Sequence, residues 1–192
     1  PLAGAATLAA AVSVLRVTGI VAIVAPSVLG VVGLAILSAV AGLAVCGGLY
    51  LTRGRLAGDG DSSLRNPFEL GALLIFAMLF ATVSTISAAA ASGQSAGMVV
   101  TSAVSGIFDI DVAVLSALRL LGSSADTEAV GHAVLIALAT NAAGRLVVAA
   151  ATGPIRFWLP LLGASVVAGA AGFAAFFALP HFTWPGATLI LG

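Results

Sequence analysis

Two carboxylates, Asp109 and Asp111, stand in the stretch Ser105-Gly106-Ile107-Phe108-Asp109-Ile110-Asp111, inside sequence otherwise apolar enough for a lipid bilayer. An ionisable side chain near the bilayer centre costs roughly 2.5–3.5 kcal/mol on insertion scales, so it normally faces a partner, a cavity or a transported ion. Oxygen ligands of this kind suit a hard cation such as Mg²⁺, which uses one or two carboxylates and keeps several waters. A carboxylate beside an arginine suits a proton relay equally well. Asp109 and Asp111 are therefore the candidate metal ligands and ion-pathway residues. Two positions apart on a regular helix is about 200°, so the pair can grip one ion only where the helix is unwound. Ser105-Gly106, directly upstream, supplies such a break, and backbone groups freed at breaks build ion sites in membranes. On an unbroken helix Asp109 shares a polar stripe with Ser102, Ser105 and Ser116, while Asp111 points elsewhere, toward an arginine.

The opposite charges are Arg16 and Arg145, each within an apolar segment. Their sum with the two carboxylates is zero, so internal salt bridges that lock a bundle are the plain alternative to a transport path. Asn141 and Arg145 are four apart and share a helix face, with Thr140 beside them, which makes them candidates to stand opposite the Asp pair. Arg145 reads either as an anion clamp or as the counter-ion of Asp109, and the counter-ion reading is preferred. Asn66-Pro67-Phe68-Glu69 has the form of a helix cap, with Glu69 alternatively at the mouth of a pathway. His132 has no partners at metal-ligand spacing, and Cys46, the single cysteine, reads as a buried structural thiol. No nucleotide-binding loop, zinc-protease motif or Ser/His/Asp arrangement is evident, which argues against an enzyme.

The elements that must position these residues are membrane helices. The chain is 61% hydrophobic and 7% charged, against roughly 45–50% and 25% in soluble domains. Ala, Gly, Leu and Val richness without alternation excludes an outer-membrane barrel. Seven arginines balance seven acids with no lysine, which leaves no patch for nucleic acid. The expected architecture is an all-α, polytopic transmembrane bundle in a single domain over 1–192. Six helices are expected at about 2–25, 28–52, 67–91, 97–121, 127–151 and 157–179, the fourth broken or re-entrant at Ser105-Gly106. In the six-span reading Arg53, Arg55, Arg65 and Arg119 lie on one side and Arg156 on the other, so both termini fall in the cytoplasm. A re-entrant fourth helix changes that topology.

A weak internal repeat links Arg16 and Pro26 in helices 1–2 with Arg145 and Pro154 in helices 5–6, a pattern characteristic of transporter folds. Small residues four apart, Ser38/Gly42, Ser165/Gly169 and Ala168/Gly172, suit close helix approach. The aromatic and His content of Pro180 to Pro185 suits a membrane interface. The apolar pattern is already running at Leu2, after a first residue that is not Met, which reads as a C-terminal fragment of a longer protein.

Ala11-Val12-Ser13-Val14-Leu15-Arg16-Val17 leading to Ala25-Pro26, then Asn66-Pro67-Phe68-Glu69-Leu70, the Ser105–Asp111 stretch and Leu138-Ala139-Thr140-Asn141 occur in an order and spacing similar to one family. The chain resembles, over nearly its whole length, the C-terminal membrane domain of MgtC/SapB-like proteins, domain of unknown function 4010. Members usually carry a Gly-rich Ser/Thr segment before the first Arg helix, as a repeat partner of the Asp motif. They commonly show Ala after the second Asp and Lys after the Asn, where this chain has Val112 and Arg145. The resemblance implies a multi-pass protein of the bacterial inner membrane, a homo-oligomer, alongside an N-terminal MgtC-like membrane module. It implies a role in Mg²⁺ homeostasis or ion transport. The expected function is transport of a cation, Mg²⁺, or of a proton-coupled small solute, through Asp109, Asp111, Ser105, Gly106, Ser116, Asn141, Arg145, Arg16 and Glu69. The alternative is a regulatory or scaffold membrane module with structural Asp–Arg pairs.

Overall fold

A computed structural model of the chain describes residues 2–56, 78, 109–123 and 125–178. Its α-helices there are α1 (Leu2–Val24), α2 (Pro26–Leu56), α3 (Ile110–Leu118), α4 (Thr127–Thr152) and α5 (Ile155–Ala178). Four of them, α1, α2, α4 and α5, are long and apolar enough to cross a membrane, so the protein is multi-pass. The short one, α3, has nine residues and spans about 14 Å, half the roughly 30 Å of a hydrocarbon core.

The first and fifth expected helices match α1 and α4 to within a residue. The second starts earlier than expected because Pro26 occupies the first helical position, where a missing N–H costs nothing. It also runs on through Arg53 to Leu56 rather than stopping at 52. The sixth begins at Ile155, just after Pro154. The third, at 67–91, lies outside the described residues apart from the helical Met78. Of the fourth, expected over 97–121, the described part is helical only from Ile110 to Leu118, and Asp109 itself is extended, with φ −140° and ψ 100°.

Two tight turns make two hairpins, α1–α2 through Ala25 and α4–α5 through Gly153-Pro154. In the first, a Cβ placed on Gly4 would stand 2.9 Å from the Leu51 backbone nitrogen, and one on Gly47 would stand 3.2 Å from that of Leu8. The absence of side chains at these two positions is what lets α1 and α2 lie together along their length. α5 packs chiefly on α2 rather than on its hairpin partner α4. Gly42 faces Ala168, and Gly172 faces Ala35 and Ala39. Two of the expected small-residue faces are thus real contacts, whereas Gly169 has open space before it.

These contacts fix direction. α2 and α5 are antiparallel, with Tyr50 beside Gly163 and Ala35 beside Gly172. α4 starts beside the start of α2, since Gly131 meets Val31 and Val32. One end of the bundle therefore carries the start of α1, the end of α2, the end of α4 and the start of α5. The other carries the α1–α2 turn, the end of α3, the start of α4 and the end of α5. The two hairpins run in opposite senses across the bundle.

This arrangement corrects the charge map expected from six complete spans. Arg53 and Arg156 share one end, and Arg119 lies at the other, next to the loop into α4. Leu2 and Ala178 are at opposite ends, not on the same side. The expectation fails because α3 finishes at the end opposite to α2, whereas a complete fourth span would have finished at the same end.

The main core joins Val17, Val21, Val28, Val32 and Ile36 of the first hairpin to α3 and to Val130, Ala133, Val134 and Ala137 of α4. α3 contributes Ile110, Ala113, Val114, Ala117 and Leu118, the i, i+3, i+4, i+7, i+8 stripe of one helix face. A smaller cluster of Ala11, Leu43, Ala164 and Ala168 joins α1, α2 and α5, with the half-buried Cys46 against it.

Candidate functional site

The polar centre of the bundle is a seam along one face of α1. Ser13 and Arg16 are three apart, hence neighbours on that face. Arg16 begins about 21 Å along α1 and about 12 Å from its end, well inside an apolar slab. Its guanidinium forms an ion pair with Asp111 Oδ2. One turn back, Arg145 of α4 donates to Ser13 Oγ at 3.0 Å. Because Ser13 and Arg16 are neighbours on α1, the two arginines stand along the same seam.

The start of α3 explains Asp109. Its Oδ1 accepts hydrogen bonds from the Asp111 amide at 3.0 Å and the Val112 amide at 3.3 Å, so Asp109 is the N-cap. A carboxylate suits this place because it satisfies orphan amides and sits at the positive end of the helix dipole. Asp111, in the first turn, gains from the same dipole. Asp126 caps α4 in the same way, accepting from the Ala129 amide at 2.7 Å.

Asp111 is three-quarters buried, its side chain 26% exposed, while Arg16 remains 61% exposed. Asp111 Oδ1 is buried and has no hydrogen-bond partner among the described residues. A buried acceptor without a partner is costly, so this oxygen is the least satisfied polar atom of the seam.

The expected constellation is rearranged. Arg145 meets Ser13, not Asp109, and Arg16 is the residue that holds the second carboxylate. Asp109 is not helical, so the stripe expected to link it with Ser116 does not form; Ser116 is on the exposed face of α3. Asn141 is buried, 7% exposed, one turn before Arg145 on the same face of α4. Ser105, Gly106 and Glu69 lie outside the described residues. His132 is exposed and its ring lies 5.8 Å from that of Phe176. Ser13 was not singled out, although its place one turn before a mid-span arginine was a usable signal.

Both carboxylates have partners within the protein. Asp109 is turned to its own helix amides, and Asp111 carries a guanidinium that repels a metal ion. Among the described residues, no three His, Cys, Asp or Glu side chains gather in a group able to hold a metal. The arrangement suits instead the making and breaking of a single ion pair where a half-length helix ends inside the bundle.

Residues 1–153 match the family whose description is Domain of unknown function (DUF4010). No curated protein and no solved structure matches the chain.

Proposed function

The chain belongs to the DUF4010 family, and from that premise we propose that it is a membrane transport protein whose path runs along the Ser13–Arg16 face of α1, past the head of α3. One observation carries the reading: the half-length α3 begins at the depth of Arg16, with Asp111 of its first turn paired to that arginine. Oppositely directed hairpins around a helix that starts at mid-depth resemble the architecture in which transporters place their sites. Of the two expected cargo classes, a proton-coupled small solute fits these side chains better than Mg²⁺. Protonation of Asp111 would release Arg16, whereas Mg²⁺ would have to displace a guanidinium and a helix cap.

The finer architecture belongs to the same proposal. A re-entrant fourth helix, entering and returning at the Arg119 end, accounts for α2 and α3 finishing at opposite ends, with six helical segments in total. Arginine at the end of α2 and Arg156 of α5 mark their end as cytoplasmic in a bacterial inner membrane. Homo-oligomer formation and an MgtC-like module alongside, with a tie to Mg²⁺ homeostasis, rest on the family resemblance.

The test is flux into liposomes reconstituted with the purified protein, read with a trapped pH dye under an imposed pH gradient and with a trapped Mg²⁺ indicator. The account expects protein-dependent proton movement that Asp111→Asn abolishes, and little entry of Mg²⁺. Folded protein that moves neither ion would favour the regulatory or scaffold reading, in which Arg16–Asp111 is a lock.

A further inference from the structure

The two hairpins place Arg16 and Arg145 in one seam, and among the described residues Arg16 has a carboxylate partner and Arg145 has none. Arg145 has a hydroxyl, Ser13 Oγ, as its hydrogen-bond acceptor. A guanidinium carries five N–H donors in a planar fork, and Ser13 takes one of them among the described residues. It sits seven residues, about 10 Å, before the end of α4, at a depth where an uncompensated charge is expensive. Among the described residues, Arg16, Asp111 and Arg145 together carry one positive charge in excess. Asp109 does not offset it locally, because its carboxylate is turned to the amides of α3.

We infer that Arg145, steadied by Ser13 and flanked by Arg16, is an anion-binding position taking a small oxyanion of the carboxylate or phosphate class. A planar fork pairs with two oxygens of such a group at once, which a hydroxyl cannot match. An anion there offsets the charge of Arg145, and a cation would be repelled by it. Asn141, buried one turn from Arg145 on the same face, is placed to add an amide donor. The oxyanion has two sources, a dissolved solute or a lipid headgroup. This inference deepens the transport reading and rests on it for its meaning, since it names the class of solute that the seam takes.

The experiment is thermal unfolding of the full chain in neutral detergent, titrated with sodium phosphate or sodium acetate at constant sodium and ionic strength, chloride being the reference anion. A parallel arm titrates dioleoylphosphatidylglycerol against dioleoylphosphatidylcholine. A ligand that binds only the folded state raises the midpoint saturably. The expected result is such a rise with phosphate or acetate, abolished in Arg145→Gln, shifted to several-fold higher concentration in Ser13→Ala and unchanged in Arg53→Gln. A rise with phosphatidylglycerol alone assigns the same site to a headgroup. No saturable rise over the references in either arm, or a rise that Arg145→Gln retains, overturns the inference. Should Arg145→Gln not fold, Arg145→Lys keeps the charge without the fork, and an affinity loss of about tenfold is expected from one charge-assisted hydrogen bond. An unaltered affinity in Arg145→Lys also overturns it. Binding is read here without a gradient, so its failure leaves the flux test standing, and binding without flux sinks only the transport reading.

Discussion

The two hairpins share a sequence pattern, an arginine some ten residues before a proline turn, and differ in how they are closed. In α1–α2 the helices lie together through Gly4 and Gly47, and the arginine has a carboxylate. In α4–α5 the helices part, α5 packs on α2, and the arginine has a hydroxyl. The difference lies in the third element: α3 packs on α1 and α4 and presents one Asp to the seam, which Arg16 takes. A repeat in sequence therefore does not imply two equivalent sites. Among the described residues, one copy holds the ion pair and the other meets a hydroxyl.

The strongest way to break the comparison is to open the closed hairpin. Gly4→Val puts atoms against the Leu51 backbone, which cannot move as a side-chain tip does. A stability loss of about 1–3 kcal/mol is expected, measured by denaturation in detergent. Gly48→Ala, on the same helix pair with nothing within 4 Å of its Cβ, is expected to change stability by less than about 0.5 kcal/mol. Equal effects would show that the approach of α1 and α2 is not what these glycines serve.

A double-mutant cycle sharpens the contrast between the two arginines. Arg16→Gln and Asp111→Asn should show a coupling of about 0.5–3 kcal/mol, as contacting charged partners do. Arg145→Gln with Asp111→Asn should be closer to additive, because their link runs through Arg16. The reverse order would place the ion pair on the wrong hairpin.

The smallest expected effect separates the cap from a ligand. Asp109→Ala should cost about 0.5–2 kcal/mol, and Asp109→Asn much less, since Asn caps nearly as well. Proton movement should survive Asp109→Asn and fail in Asp111→Asn. Loss of flux in a stable Asp109→Asn protein would make Asp109 a pathway residue after all.

Long apolar runs made α1, α2, α4 and α5 legible in the sequence, because only helices of that length satisfy their own backbone in lipid. The start of α3 was harder, because the sequence stays apolar across it and hydropathy carries no boundary. A local sign was present. Asp109-Ile110-Asp111 has the same spacing as Asp126-Thr127-Glu128, and both place a carboxylate at the N-cap and another in the first turn. The depth of the first points to ion chemistry, and its role as a cap shows only in the extended backbone of Asp109. The carboxylates and both arginines stand out as charges within apolar runs, and Asp111 is expected to face an arginine, as it does, but the sequence does not say which one. Which Arg meets which Asp depends on helix direction, and direction is fixed by contacts between helices far apart in sequence, such as Gly131 with Val31 and Val32.

The central claim is that the two hairpins cross the membrane in opposite senses, leaving Arg119 at the end away from Arg53 and Arg156. Single cysteines at 53, 119, 126 and 156 in a Cys46→Ser background, labelled in sealed vesicles with a membrane-impermeant maleimide, test it directly. The account predicts that 53 and 156 label from one side and 119 and 126 from the other. Labelling of 119 together with 53, and of 156 from the opposite face, would restore six complete spans and contradict the inverted hairpins.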